Sequence, residues 1–101
     1  MNTDLRILVV DDNEDLAINL QDILHEKGYE AATASSGGAA MDRCRERSYD
    51  LVLLDYNLPD MDGLQLQEKL AGLMEADYII VTGYASVESA AQAVFRKQIV
   101  G

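Results

Sequence analysis

Short apolar runs of β type alternate with longer helical patterns from one end of the chain to the other. Four such runs stand out: Arg6 to Val10, Tyr29 to Ala34, Leu51 to Asp55 and Tyr78 to Val81. Two of them, Ile7-Leu8-Val9-Val10 and Leu51-Val52-Leu53-Leu54, are continuous apolar stretches, as expected of strands buried on both faces. Strict β-α-β-α-β-α-β-α alternation implies an α/β fold with a parallel sheet, right-handed crossovers and helices on both faces.

The intervening segments carry their own punctuation. Asn13 is a good N-cap, and Glu14 and Asp15 place acid in a first helical turn, where the helix dipole favours it. Leu16, Leu20, Ile23 and Leu24 fall on one helical face, and Gly28 is the expected left-handed stop after His25 and Lys27. Ser35-Ser36-Gly37-Gly38 has turn chemistry, which predicts a second helix over Ala39 to Arg47. Tyr56 to Gly63 reads as a loop, since Pro59 cannot continue a strand ladder and Asp62-Gly63 is a turn pair. A third helix follows over Leu64 to Met74, with Leu66, Leu70, Leu73 and Met74 as its apolar stripe. Ser86 caps a fourth, with Glu88 in its first turn and Val87, Ala90, Ala91, Val94 and Phe95 as apolar contacts.

Composition narrows the function classes. A length of 101 residues suits one domain, and a 49% hydrophobic share suffices for a core. The net charge of -10 argues against nucleic acid or an anionic membrane as partner, and suits a metal cation. Cys44 is the single cysteine, so no internal disulfide forms and a reducing compartment is the simpler inference. No signal-peptide pattern and no apolar run near the ~20 residues of a membrane helix is present, so a cytoplasmic location is expected. One histidine, His25, and no Cys/His cluster leave zinc chemistry and a Ser-His-Asp triad poorly supported.

Three of the four strands end in a reactive or ligating side chain: Asp11-Asp12, Asp55 and Thr82. The second strand does not. That asymmetry predicts a sheet in which the first, third and fourth strands are neighbours and the second lies outside. In an open parallel sheet, ligands bind at the carboxyl ends of the strands. Each feature has a bland explanation alone, as a cap, a strand terminus or a residue bonding its own backbone. Their joint occurrence on one sheet edge is harder to obtain by accident. Converging carboxylates repel, so a bound cation is the natural remedy, and oxygen-only ligands select a hard ion such as Mg²⁺.

Three segments carry a family resemblance: Ile7 to Glu14 (ILVVDDNE), Asp50 to Gly63 (DLVLLDYNLPDMDG) and Ile79 to Ala85 (IIVTGYA). Together they resemble the receiver domain of bacterial two-component response regulators, over nearly the whole chain. The resemblance implies a flavodoxin-like doubly wound sheet of strand order 2-1-3-4-5. It implies that Asp55 is the phosphoacceptor, taking a phosphoryl group from a sensor histidine kinase or phosphotransfer protein. Asp12 would then hold Mg²⁺ directly, Asp11 mostly through water, and Asp55 and the backbone carbonyl of Asn57 would add ligands. Thr82 would hydrogen-bond the phosphoryl oxygen, Gly83 would leave room for the donor, and Tyr84 would tune dephosphorylation.

The chain departs from the family at its end. Receivers carry a switch aromatic, a fifth strand ending in Lys-Pro and a fifth helix, whereas this sequence stops at Val100-Gly101. Residues 1–101 are therefore expected to form a receiver domain incomplete at the C-terminus, with four β-α units of the usual five. Lys97 is a poor match for the family's phosphoryl-pairing lysine, being an ordinary helix-terminal residue. The implied consequences are an exposed fourth-strand edge, a homodimer or segment exchange, and Mg²⁺ binding retained with phosphorylation impaired. A competent chain would catalyse its own Mg²⁺-dependent phosphorylation and dephosphorylation. Two other functions remain open: a receiver fold that binds partners without phosphorylation, and a small Mg²⁺-dependent phosphatase. The second wants an aspartate two residues after the nucleophile, where this chain has Asn57.

Overall fold

The computed structural model describes residues 5–81. Within them the elements run β1 (Arg6–Val10), α1 (Glu14–Glu26), β2 (Glu30–Ala34), α2 (Gly37–Glu46), β3 (Leu51–Asp55), α3 (Gly63–Ala71) and β4 (Asp77–Val81). All pairings are parallel, and the strands lie in the order β2-β1-β3-β4. The expected neighbourhood of the first, third and fourth strands, with the second outside, is therefore observed. The fourth helix expected from Ser86 onward lies outside the described residues.

Strand order and handedness together dictate where the helices go. The chain steps from β1 to β2 in one direction, then back past β1 to β3 and on to β4 in the other. With right-handed crossovers, opposite steps place their helices on opposite faces. α1 accordingly packs Ala17, Leu20 and Leu24 against Ile7, Val9, Leu51 and Leu53. α2 and α3 pack Ala40, Cys44, Leu66 and Leu70 against Leu8, Val10, Val52 and Leu54 on the other side. Successive residues of β1 and β3 thus alternate between two cores, which is why both strands read as unbroken apolar runs.

The ends of α1 are set by local chemistry. The Leu16 N–H donates to Asn13 Oδ1 at 3.1 Å, as the N-cap expectation requires. At the other end Gly28 has φ 92°, and the Tyr29 N–H donates to the Leu24 carbonyl while the Gly28 N–H donates to that of His25. That pattern is a Schellman stop, and the left-handed residue in it favours glycine.

Two helices differ from their expected bounds. α2 begins at Gly37, so Gly37 and Gly38 are its first turn rather than part of the preceding turn, and Ser36 is the N-cap, accepting from the Ala39 N–H at 3.1 Å. α3 ends at Ala71 with Gly72 as C-cap. Leu66 and Leu70 are buried as expected, but Leu73, past the helix end, is 43% exposed. Asp62-Gly63 is not a simple turn pair either. Asp62 caps α3, accepting from the Gln65 N–H at 2.8 Å while Gln65 Oε1 accepts from the Asp62 N–H at 3.0 Å. The spacing Asp62-x-x-Gln65 is a capping box, a signal present in the sequence.

Candidate functional site

The strand order reverses between β1 and β3, and a crevice opens at the carboxyl ends of strands on either side of such a reversal. Asp11 and Asp12 follow β1 directly, and Asp55 is the last residue of β3. One carboxylate oxygen from each of the three lies within 4.8 Å of the others. That spread is close to the ~4.2 Å between opposite ligands of an Mg²⁺ octahedron, so the donor set fits a hard divalent cation.

The backbone around these carboxylates is tied down. The Asp11 N–H donates to the Ala34 carbonyl of β2 at 3.0 Å, which continues the ladder one residue beyond β1. Asp11 Oδ1 accepts from the Asn13 N–H at 2.9 Å, and Asp55 Oδ1 lies 3.4 Å from the Asn57 N–H. Burial raises the Asp11 carboxyl above its ordinary value; the Asn13 N–H opposes this, and the charges of Asp55 and Asp12 add to it. Burial also raises Asp55, against the Asn57 N–H and with the charge of Asp12. Both acids are thus partly desolvated and crowded by like charge, which a cation would relieve.

Gly63 sets the distance between α3 and the site. Its N–H donates to the Tyr56 carbonyl at 2.7 Å. A Cβ there would stand 2.9 Å from the Asp55 carbonyl oxygen and 3.0 Å from Tyr56 Cα, both backbone atoms. The helix therefore starts hard against the end of β3, a close approach that the absence of a side chain permits.

Among the residues singled out from sequence, Asp11, Asp12 and Asp55 are brought together, and Asn57 follows immediately on the loop after β3. Thr82, Gly83, Tyr84 and Lys97 lie outside the described residues. One feature of the site's surroundings is not among those expectations. Asp60, at the apex of the loop after β3, accepts from the Gly37 and Gly38 N–H groups of α2, both at 2.9 Å. Those two bonds hold its carboxyl below the usual range.

The sequence model of the family described as "Response regulator receiver domain" matches residues 7–100. The chain belongs to the response regulator receiver family. This receiver is 42% identical over 88 residues to the transcriptional regulatory protein ZraR of Escherichia coli O157:H7, an alignment covering 86% of this chain and 20% of that one. The chain thus spans about a fifth of the length of that relative. Among solved structures, the receiver superposes on a CheY-like response regulator receiver domain protein from Methanospirillum hungatei with a TM-score of 0.76 and 35% identity, over 91% of this chain and 74% of that one. A response regulator protein from Burkholderia pseudomallei, solved with a phosphorylated aspartic acid, a calcium ion and citrate, gives a TM-score of 0.75 and 33% identity, over 91% and 55% of the two chains. The flavodoxin-like α/β fold and the two-component receiver identity expected from sequence are both borne out.

Proposed function

We propose that this receiver works as a phosphoacceptor whose acceptor is Asp55. The observation that carries the reading is the approach of Asp11, Asp12 and Asp55 to within 4.8 Å at the switch point of the sheet. The phosphorylated aspartate and calcium ion in the Burkholderia pseudomallei relative support it. A carboxylate oxygen of Asp55 attacks the phosphorus of a phosphohistidine. The new O–P bond makes an acyl phosphate, the P–N bond breaks, and its electron pair returns to the imidazole of the sensor kinase or phosphotransfer partner. Asp12 would hold the metal directly and Asp11 mostly through water, with Asp55 and the Asn57 carbonyl as the protein's further ligands. A bound Mg²⁺ supplies neutralisation of the phosphoryl oxygens, on which this loose transition state depends. Thr82 bonds the transferred phosphoryl oxygen, Gly83 leaves the donor room and Tyr84 tunes dephosphorylation.

Labelling by a small phosphodonor such as acetyl phosphate, with Mg²⁺ present, tests the assignment. The wild-type chain is expected to take up phosphoryl groups on Asp55 at an impaired rate, and Asp55→Asn none. Equal labelling of the two would overturn the choice of acceptor, and an unlabelled wild type would favour a phosphorylation-independent interaction module. The cytoplasm as compartment and self-association of the 101-residue chain belong to the same proposal. A single monomeric species at micromolar concentration in sedimentation velocity would reject the latter. No helix among the described residues is long and apolar enough to cross a membrane.

A further inference from the structure

The loop between β3 and α3 is closed at its base and held at its apex. At the base, Asn57 and Asp62 form an antiparallel bridge, and the Gly63 N–H reaches the Tyr56 carbonyl. Nearer the tip, the Leu58 N–H donates to the Met61 carbonyl at 3.2 Å. At the apex, Asp60 spans the first two N–H groups of α2 with its two carboxylate oxygens. Met61 lies directly over Gly37, within 2.7 Å of where a Cβ would stand. No acid occupies the first turn of α2 itself. The negative charge that a helix N-terminus favours is supplied instead by a residue 22 to 23 positions along the chain. With Ser36 accepting from the Ala39 N–H, the first three free N–H groups of α2 all have partners.

We infer that Asp60 is a positioning residue for the metal half of the site. The inference rests on the proposed role of the Asn57 carbonyl as a metal ligand. Asn57 sits between a fixed point, Asp55 on β3, and the apex that Asp60 fastens to α2. With both ends of Asn57's stretch of loop held, its backbone has one place to be before the ion arrives. A ligand held in advance loses less freedom on binding. Without the Asp60 bonds the apex is held by Met61, Leu58 and the loop's own hydrogen bonds. The bridge and the Leu58–Met61 bond still orient the Asn57 carbonyl within the loop, but the loop as a unit is free to shift against α2, which displaces that carbonyl relative to Asp55 and weakens binding with no direct ligand removed.

Titration calorimetry of MgCl₂ into the 101-residue chain, together with the amide resonance of Asn57 by NMR, tests this. Asp60→Ala is expected to weaken Mg²⁺ binding roughly tenfold, the lower end of what loss of an outer-sphere partner costs. Asp60→Asn, which keeps shape and one acceptor, is expected to lose less, on the order of threefold. The Asn57 amide should shift in both variants before metal is added. Gly28→Ala, a destabilising change at the far end of α1, controls for general loosening and should leave the affinity in place. An Asp60→Ala affinity within about twofold of wild type, or one no weaker than that of Gly28→Ala, overturns the inference. Asp12→Asn separates the two levels. Wild-type Mg²⁺ affinity in that variant would overturn the metal reading itself, whereas loss of binding there with an unaltered Asp60→Ala would overturn the positioning role alone.

Discussion

At the scale of single residues, the site's acids and the loop's acid respond to pH with opposite sign. Asp11 and Asp55 have folded-state pKa values raised above 3.8, chiefly by burial. Their contribution to stability is present at low pH and is lost as pH rises through the raised values. Asp60 is lowered by the Gly37 and Gly38 N–H groups, so its contribution is present at neutral pH and lost only as pH falls below the ordinary range. In chelator, the melting temperature of Asp55→Asn should therefore gain on that of wild type as pH rises from about 4 towards 7. Saturating Mg²⁺ should reverse the gap, because an ion at a hundred times its dissociation constant stabilises the wild type by about 2.7 kcal/mol. A difference between the two proteins that is flat with pH would mean the carboxylates do not strain the fold. Asp11, Asp12 and Asp55 were legible because they fall jointly at the ends of buried strands, where each alone would pass as a cap or a strand terminus; Asp60 was not.

At the scale of elements, caps decide where helices begin and what they can touch. Asn13, Ser36 and Asp62 each accept the N–H three residues on, and each defines its helix by local chemistry. Gly63 shows what the element boundary does for the site. Alanine at the first position of α3 gains about 0.5–1 kcal/mol in helix propensity over glycine. Against that, its Cβ would meet the Asp55 carbonyl and Tyr56 Cα, backbone that cannot turn aside. Overpacking of that kind costs about 1–3 kcal/mol, so Gly63→Ala should be net destabilising in urea denaturation and should weaken Mg²⁺ binding as β3's end shifts. A variant as stable as wild type would show that the loop can yield. Gly37-Gly38 was legible as a break and not as a helix start, because the same glycines suit either. What resolves it is Asp60, whose bonds to their N–H groups no local pattern announces.

At the scale of the whole molecule, the site exists because the chain changes direction across the sheet. β1 and β3 are consecutive in the sheet and distant in the sequence, and their register, Ile7 with Leu51 through Val10 with Leu54, brings Asp11 and Asp12 beside Asp55. Both strands are buried on two faces, so a one-residue slip would exchange the two cores completely; packing therefore holds the register that the site needs. The sequence by itself determined the α/β class, the strands, the Asn13 cap and the three acids. Each of those is written in neighbouring residues, through apolar periodicity, capping chemistry and the cost of ending a buried strand on a charge. Only the tertiary structure decided that Leu73 faces solvent, that Gly63 must lie against the end of β3, and that Asp60 fastens the loop to α2. Those outcomes depend on which surfaces meet after folding, and contacts such as Gly63 with Asp55 or Asp60 with Gly37 leave no period in the chain for a reader to find.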